Sequence, residues 1–598
     1  MRAGGKMRED SGRENREKDR KKGKEVRVLE EISGEKIKNM TLSEREELCD
    51  ELRREIISTV SKCGGHLSSN LGVVELTVAL FDVFDFPGDR VVWDVGHQCY
   101  AYKLLSGRAG RFGTLRQKGG ISGFPKRAES EYDCYDTGHA GNSVSAAIGI
   151  AKALELAGEK RTVIAVIGDG SFNNGLIYEA LNSLRIVGTK ILIVLNDNGM
   201  SISPTVGATH ELLSGARETR SQLRKNISLI EQYGIRYIGP VNGNSLGDVT
   251  HALRRAKTLL ADGSVFLHVK TKKGMGYEFC EENPVVTHGI SPVGSAPMTE
   301  YSELLGQTLT GMAERDGRIV AVTAAMTDAL GLRGFFDRFP DRAFDVGICE
   351  ENASVLCAAM ASAGLKPYYA IYSTFLQRAF DEIVIDVCAQ NLPVVFCIDR
   401  GGLSGSDGET HQGVFDLSYL SLIPDIAIAV PKDGDEFVSM LEFSRTYDRP
   451  LAIRYPRATS VSFVRRREIA VGTYEYLTER TDSPVTVLAC GERAIAIAFG
   501  VRERTGIPFD IVNARFVKPL DGELLGSIRS EYIVTVEDNV RIGGFGDQVD
   551  RFYLNSGKKL KNFAYGDTFI PQGGVEELQR EYGLDPQEIA DYIAGVSR

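Results

Sequence analysis

The chain has 598 residues, a net charge of −10, and 42% hydrophobic against 25% charged residues. That length is a soft prior for roughly three to four domains, and the acidic balance argues against a general nucleic-acid binder. No apolar run reaches the ~18 residues that cross a bilayer, and the ten cysteines make no Cys-x-x-Cys pair, so neither a disulfide framework nor a zinc site is indicated and a reduced cytoplasm is the simplest compartment.

From the amino end, residues 1–27 are dense in charge and nearly free of large apolar side chains, which predicts a disordered tail; its limit is set at residues 1–39. β-Branched runs at Val91–Val95, Thr162–Ile167 and Lys190–Leu195 predict buried strands of a first α/β domain over residues 40–297. A linker rich in Pro, Gly and Ser closes it at Pro284–Pro297. A second α/β domain, residues 298–470, has strands near Ile319–Thr323, Tyr368–Ile371, Val394–Ile398 and Ile426–Val430. A third, residues 471–598, has strands at Val485–Ala489, Phe509–Asn513 and Tyr532–Glu537. The expected fold class is α/β, three doubly wound domains in series.

The most informative segment is Gly168-Asp169-Gly170, followed by a helical stretch, a strand and Asn196-Asp-Asn198. Asp169 and Asn198 fall just past the carboxyl ends of two strands joined by one helix, the edge at which open α/β sheets bind ligands. A carboxylate, an amide oxygen and a backbone carbonyl are hard donors suited to an octahedral Mg²⁺ that also holds phosphate oxygens. Gly168 and Gly170 let the backbone approach a diphosphate, and the helix N-terminus beyond favours its charge. A lone Gly-Asp-Gly is also an ordinary βαβ turn; the Asn 29 residues later, on the next strand, tips the reading toward a metal–diphosphate site. Five of the eight histidines lie in Gly-rich or polar loops: His66, His97, His139, His288 and His411. A single loop histidine is most often solvated, but five in such turns point to proton carriers or phosphate donors at a site between the first two domains.

The Gly-Asp-Gly…Asn pattern resembles the thiamine diphosphate signature of transketolase-like enzymes. More narrowly, Gly64-Gly-His-Leu-Ser-Ser-Asn-Leu-Gly, Trp93-Asp-Val-Gly-His-Gln, Arg116-Gln-Lys-Gly-Gly-Ile, Tyr372-Ser-Thr-Phe-Leu-Gln-Arg, Asp399-Arg-Gly-Gly-Leu, Asp407-Gly-Glu-Thr-His-Gln-Gly and Tyr455-Pro-Arg resemble the 1-deoxy-D-xylulose-5-phosphate synthases, from about residue 40 onward. The resemblance implies a transketolase-like fold and condensation of pyruvate with D-glyceraldehyde 3-phosphate with loss of CO₂, opening the non-mevalonate isoprenoid route. It implies thiamine diphosphate and Mg²⁺ as cofactors, a cytoplasmic homodimer, and an active site within one subunit. The metal would be held by Asp169, Asn198 and the Met200 carbonyl. The cofactor would meet His97, Gly138, His139, Ala140, Gly170, Ser171, Asn198, Tyr277 and Phe375, with Ile202 bending it and Glu350 bonded to its aminopyrimidine. A core aromatic is the other reading of Phe375. The acceptor phosphate would sit on Arg400, Arg457 and Tyr372, with Asp407 and His411 at its hydroxyl and aldehyde. His66 and His288 would handle protons on the pyruvate-derived part. Arg378 is open between substrate contact and structural ion pair.

Several positions depart from that pattern. Glu351-Asn352 stands where Gln-His is usual, and a second carboxylate beside Glu350 raises its proton affinity if both are close and buried. Gly138-His-Ala-Gly-Asn-Ser replaces Gly-His-Ser/Ala-Ser-Thr-Ser, and the lid-like segment from Thr205 to Gly234 is short. No departure removes a metal ligand, Glu350 or a phosphate arginine; they bear on acceptor choice. A transketolase-type carboligase and a catalytically silent paralogue are the competing readings.

Overall fold

The β-branched runs become strands of three sheets in a computed structural model, which describes residues 29–214, 229–291, 300–458 and 468–597. The chain divides into two compact units at Ser295/Ala296.

In the first unit the strands are β1 (Arg90–Trp93), β2 (Val163–Gly168), β3 (Leu192–Asp197), β4 (Arg236–Asn242) and β5 (Val265–Lys270). They form one parallel sheet in the order β1-β2-β3-β5-β4. Side chains alternate along each strand. Val163, Ala165 and Ile167 pack with the helices Ser143–Leu156 and Gly175–Val187. Ile164 and Val166 pack with Leu42–Cys63, Val74–Val83 and Leu246–Leu259 on the opposite face. Burial on both faces explains why these strands read as unbroken apolar runs, each large side chain contributing about 1.5–3 kcal/mol.

Two expected boundaries move. Residues 29–39 are not tail: Leu29, Ile32 and Ile37 are buried, and Gly34–Asn39 is a helix capped by Ser33. Three apolar side chains spaced along a charged stretch were enough to dock it. Residues 1–28 lie outside the described residues. Nor is 284–291 a free linker, because Gly65 and Ile290 exchange backbone hydrogen bonds (2.9 Å each way) and Thr287 is buried; 292–297 lie outside the described residues.

The loop between β1 and β2 is held by buried ion pairs. Arg108 forks onto Asp133 (2.5 and 2.9 Å), and Lys103 reaches Glu129 (2.7 Å). Arg108→Met strands the Asp133 carboxylate, so urea denaturation should show a loss of about 3–5 kcal/mol.

In the second unit, strands β6 (Ile319–Thr323), β7 (Ala343–Asp345), β8 (Lys366–Tyr372), β9 (Val395–Asp399), β10 (Ala427–Ala429) and β11 (Leu451–Arg454) make a parallel sheet in the order β10-β11-β9-β8-β6-β7. A further sheet has the order β12-β14-β13-β16-β17, from β12 (Glu475–Tyr476), β13 (Val485–Cys490), β14 (Asp510–Asn513), β16 (Tyr532–Val540) and β17 (Lys559–Tyr565). The intervening β15 (Phe516–Lys518) leaves that sheet and pairs antiparallel with β10. One apolar cluster runs across both sheets, and Arg515, between β14 and β15, bonds the buried Glu436 of the helix Gly434–Ser444 (3.2 Å). The expected boundary at 470 thus separates two sheets that share a core.

Candidate active site

Four neighbouring strand ends of the first sheet deliver one set of polar residues. β2 ends at Gly168, with Asp169 just beyond it; β3 ends at Asp197 and is followed by Asn198. Asp169 is 2% exposed. Its Oδ2 accepts from the Thr205 hydroxyl (2.8 Å) and its Oδ1 from the Asn198 amide (3.4 Å). Burial, followed by the Asp197 carboxylate nearby, pushes Asp169 up to about 7. A carboxyl so placed gains most from a cation. The Asn198 Oδ1 accepts from the Met200 amide (3.0 Å), and a bridge from Met200 to Pro204 closes the turn that holds Ile202. Gly170 and Ser171 enter a short 3₁₀ turn, and the helix beyond it runs over Gly175–Val187, capped by Asn174.

Three of the five loop histidines meet. The rings of His66, His97 and His288 lie pairwise 5.3 Å apart, with Phe124 5.8 Å from His66. Burial, then the Lys273 ammonium and the other two imidazoles, drive His288 well below the usual range, so it is neutral. The Ser69 hydroxyl stands 3.2 Å from its Nδ1. Gly138, His139 and Ala140 lie in the segment between β1 and the helix Ser143–Leu156. Tyr277 is 39% exposed and packs on Phe279.

Sequence reading missed three buried polar groups here. Asn70, fully buried, donates to the carbonyls of His66 (2.6 Å) and His97 (2.8 Å), fixing both loops at once. Asp94, at the end of β1, accepts from Gly141 N (3.0 Å) and from the Ser143 hydroxyl (2.6 Å), setting the Gly138–Gly141 loop. Lys273, after β5, donates to the Ser201 carbonyl (2.5 Å); burial pushes it down to about 8, offset in part by Asp169. The departure at Gly141 has a local cause. Its φ is +92°, and a Cβ would lie 2.4 Å from the Asn174 Oδ1, so serine does not fit.

The second unit presents another set, again past strand ends. Glu350 follows β7 and opens the helix Glu350–Ser362. It is 4% exposed, and Arg378 lies 3.6 Å from its Oε2, which makes Arg378 the ion-pair partner of Glu350. Burial raises its proton affinity; Arg378 lowers it, and Glu351 adds to the rise as expected. Phe375 follows β8, partly buried against the core, stacking on Tyr372 (5.7 Å) and meeting the His411 ring edge-on (5.6 Å). Arg400, in the left-handed region (φ +58°) after β9, lies over the Tyr372 ring at 3.8 Å. The Arg400 guanidinium and then burial depress Arg457, while Asp407 opposes them. Two guanidiniums in mutual repulsion make a seat for an anion.

Among the described residues no three His, Cys, Asp or Glu side chains group into a metal cage. A cation at Asp169 therefore relies on one carboxylate, neutral oxygens and the oxygens of a bound phosphate, as Mg²⁺ sites commonly do.

The parallel sheets and these strand-end residues define a transketolase-like enzyme architecture. Family models for the transketolase pyrimidine-binding domain and C-terminal domain match residues 298–460 and 475–589. The model described as 1-deoxy-D-xylulose-5-phosphate synthase matches residues 29–228 and 215–271. The synthase of that name from Clostridium botulinum is 42% identical over 93% of this chain and 97% of its own, and that from Clostridium tetani 43% over 92% and 97%. A solved transketolase from Campylobacter jejuni is 17% identical, covering 93% of this chain and 100% of its own with a TM-score of 0.44. The chain belongs to the 1-deoxy-D-xylulose-5-phosphate synthase family. The domains of this family are thiamine diphosphate- and Mg²⁺-dependent, and the buried Asp169 carboxyl beside Asp197, with Asn198 and the buried Glu350, fits both groups.

Proposed function

We propose that this chain condenses pyruvate with D-glyceraldehyde 3-phosphate to 1-deoxy-D-xylulose 5-phosphate and CO₂, the first step of the non-mevalonate isoprenoid route. The observation that carries the reading is the pair Arg400 and Arg457 at Tyr372, a phosphate seat in a member of this family. Thiamine diphosphate, when bound, supplies a nucleophilic carbon and an electron sink for the departing carboxylate. Asp169, Asn198 and the Met200 carbonyl hold the metal. His97, Gly138, His139, Ala140, Gly170 and Ser171 bind the diphosphate, while Ile202, Tyr277 and Phe375 hold the rings. Glu350 holds a proton at the aminopyrimidine. His66 and the neutral His288 receive and return protons at the pyruvate-derived oxygen. Asp407 and His411 orient the acceptor hydroxyl and aldehyde. The reading extends to a cytoplasmic homodimer, which sedimentation of the full chain tests. Among the described residues no helix is long and apolar enough to cross a membrane.

The test is CO₂ release from pyruvate by the purified chain with Mg²⁺ and thiamine diphosphate, with and without D-glyceraldehyde 3-phosphate. Release that rises strongly with the aldehyde, with deoxyxylulose phosphate as product, is expected. Release indifferent to the aldehyde points to another acceptor, and none to a transketolase-type donor or a silent protein. Arg400→Met should raise the KM for the aldehyde phosphate about 10–150-fold, the worth of a charge-assisted hydrogen bond, with aldehyde-free release little changed.

A further inference from the structure

Behind the Asn198 turn lies a buried polar chain that no role above uses. Asp197, the last residue of β3, is 2% exposed and sits opposite Lys270 in the β3–β5 register, with Leu195 opposite His268. His268 and Lys270, two apart on β5, both reach the Asp197 Oδ2: His268 Nε2 at 2.7 Å, and Lys270 Nζ in closer contact. His268 is fully buried, and the Tyr237 hydroxyl meets its Nδ1 at 2.7 Å. The hydroxyl therefore donates to Nδ1 while Nε2–H donates to the carboxylate. Lys270 Nζ also donates to the Leu213 carbonyl (3.1 Å).

One ammonium thus ties together residues 197 and 213. Between them lie Asn198, Met200 and Ile202, and also Thr205, which donates to Asp169 and whose amide bonds the Gly199 carbonyl (3.1 Å). Burying an ammonium, a neutral imidazole and a carboxylate together is a poor way to gain stability; such groups persist where they fix one arrangement among several. Groups that orient ligands without being ligands commonly set metal affinity.

We propose that Asp197, gripped by His268 and Lys270, is a positioning group that sets the metal-binding turn, so that this buried chain governs metal affinity without supplying a ligand. The inference rests on the cofactor reading above. The probe is Mn²⁺ in place of Mg²⁺, titrated into the full chain with thiamine diphosphate and followed by the electron-spin signal of the free ion. Asp197→Asn and Lys270→Met should each weaken Mn²⁺ about 10–100-fold, while Lys270→Arg, a cation that reaches both acceptors, stays within about threefold of the wild type. A role in stability alone would lower the melting temperature and leave the Mn²⁺ affinity of the folded protein unchanged; that result overturns the proposal. So does equal weakening in Lys270→Arg and Lys270→Met. Should Asp197→Asn not fold, the two Lys270 variants decide. A wild type that binds neither Mn²⁺ nor thiamine diphosphate overturns the cofactor reading too, whereas a binding wild type with indifferent variants overturns only this one.

Discussion

Glu350→Gln should lower turnover by about 10²–10⁴-fold, the usual worth of a positioned proton carrier, while thiamine diphosphate and Mg²⁺ still bind. Gln keeps the size of Glu and the place at the start of the helix Glu350–Ser362, but it cannot exchange a proton. Glu350 is placed for that exchange. Burial raises its proton affinity, and the Arg378 guanidinium 3.6 Å away keeps the rise in check. The neighbours give the sign of two further changes. Glu351→Gln removes a like charge, so the limb of the rate–pH profile that reports Glu350 moves to lower pH. Arg378→Met removes the opposing charge, so that limb moves to higher pH. Turnover within a few-fold of the wild type in Glu350→Gln, with cofactor bound, would sink the role given to Glu350.

The residues legible in the sequence were those whose chemistry follows from a fixed spacing. Asp169 and Asn198 came from a Gly-Asp-Gly and an Asn on consecutive parallel strands, and the register that sets Gly168 opposite Asn196 brings them side by side. Arg400 and Arg457 came instead from the resemblance to the family, and they follow β9 and β11. What stayed illegible acts across the sheet. Asn70 joins the carbonyls of His66 and His97, whose positions are 31 apart in the chain, through a contact that no local pattern announces. The one trace was an Asn amid buried residues of the short helix Ser68–Leu71. Lys273 and Asp94 are similar: each is a charged residue past a strand end whose partner lies on a different loop. Element ends were hidden for another reason. Composition separates the charged tail from the domain only where apolar residues are absent, and Leu29, Ile32 and Ile37 dock in spite of their charged neighbours.

Asp169→Asn should do two opposite things, depending on whether metal is present. In the metal-free chain Asp169 is pushed up to about 7 by burial and by Asp197, whereas in the unfolded chain it titrates near 3.9, the ordinary value for Asp (~3.9). Between those values the folded chain holds a proton that the unfolded chain has released. Stability therefore falls as pH rises across this window, and the full cost of the buried charge, a few kcal/mol, is present above the folded value. Asn carries no such charge, so metal-free Asp169→Asn should melt above the wild type at pH ~8.5 and close to it at pH ~4, below most of the titration. With saturating Mg²⁺ and thiamine diphosphate the order reverses, because a bound ligand stabilises in proportion to its occupancy. Losing the sole carboxylate of the site should weaken Mg²⁺ by about 10²-fold or more, since loss of a mere supporting group already costs about 10–100-fold. The measurement is a set of thermal melts at the two pH values, with and without the cofactor pair. A variant that gains as much from Mg²⁺ and thiamine diphosphate as the wild type does would remove Asp169 from the metal site. A metal-free variant no more stable than the wild type at high pH would show instead that Asp169 meets no electrostatic cost where it stands.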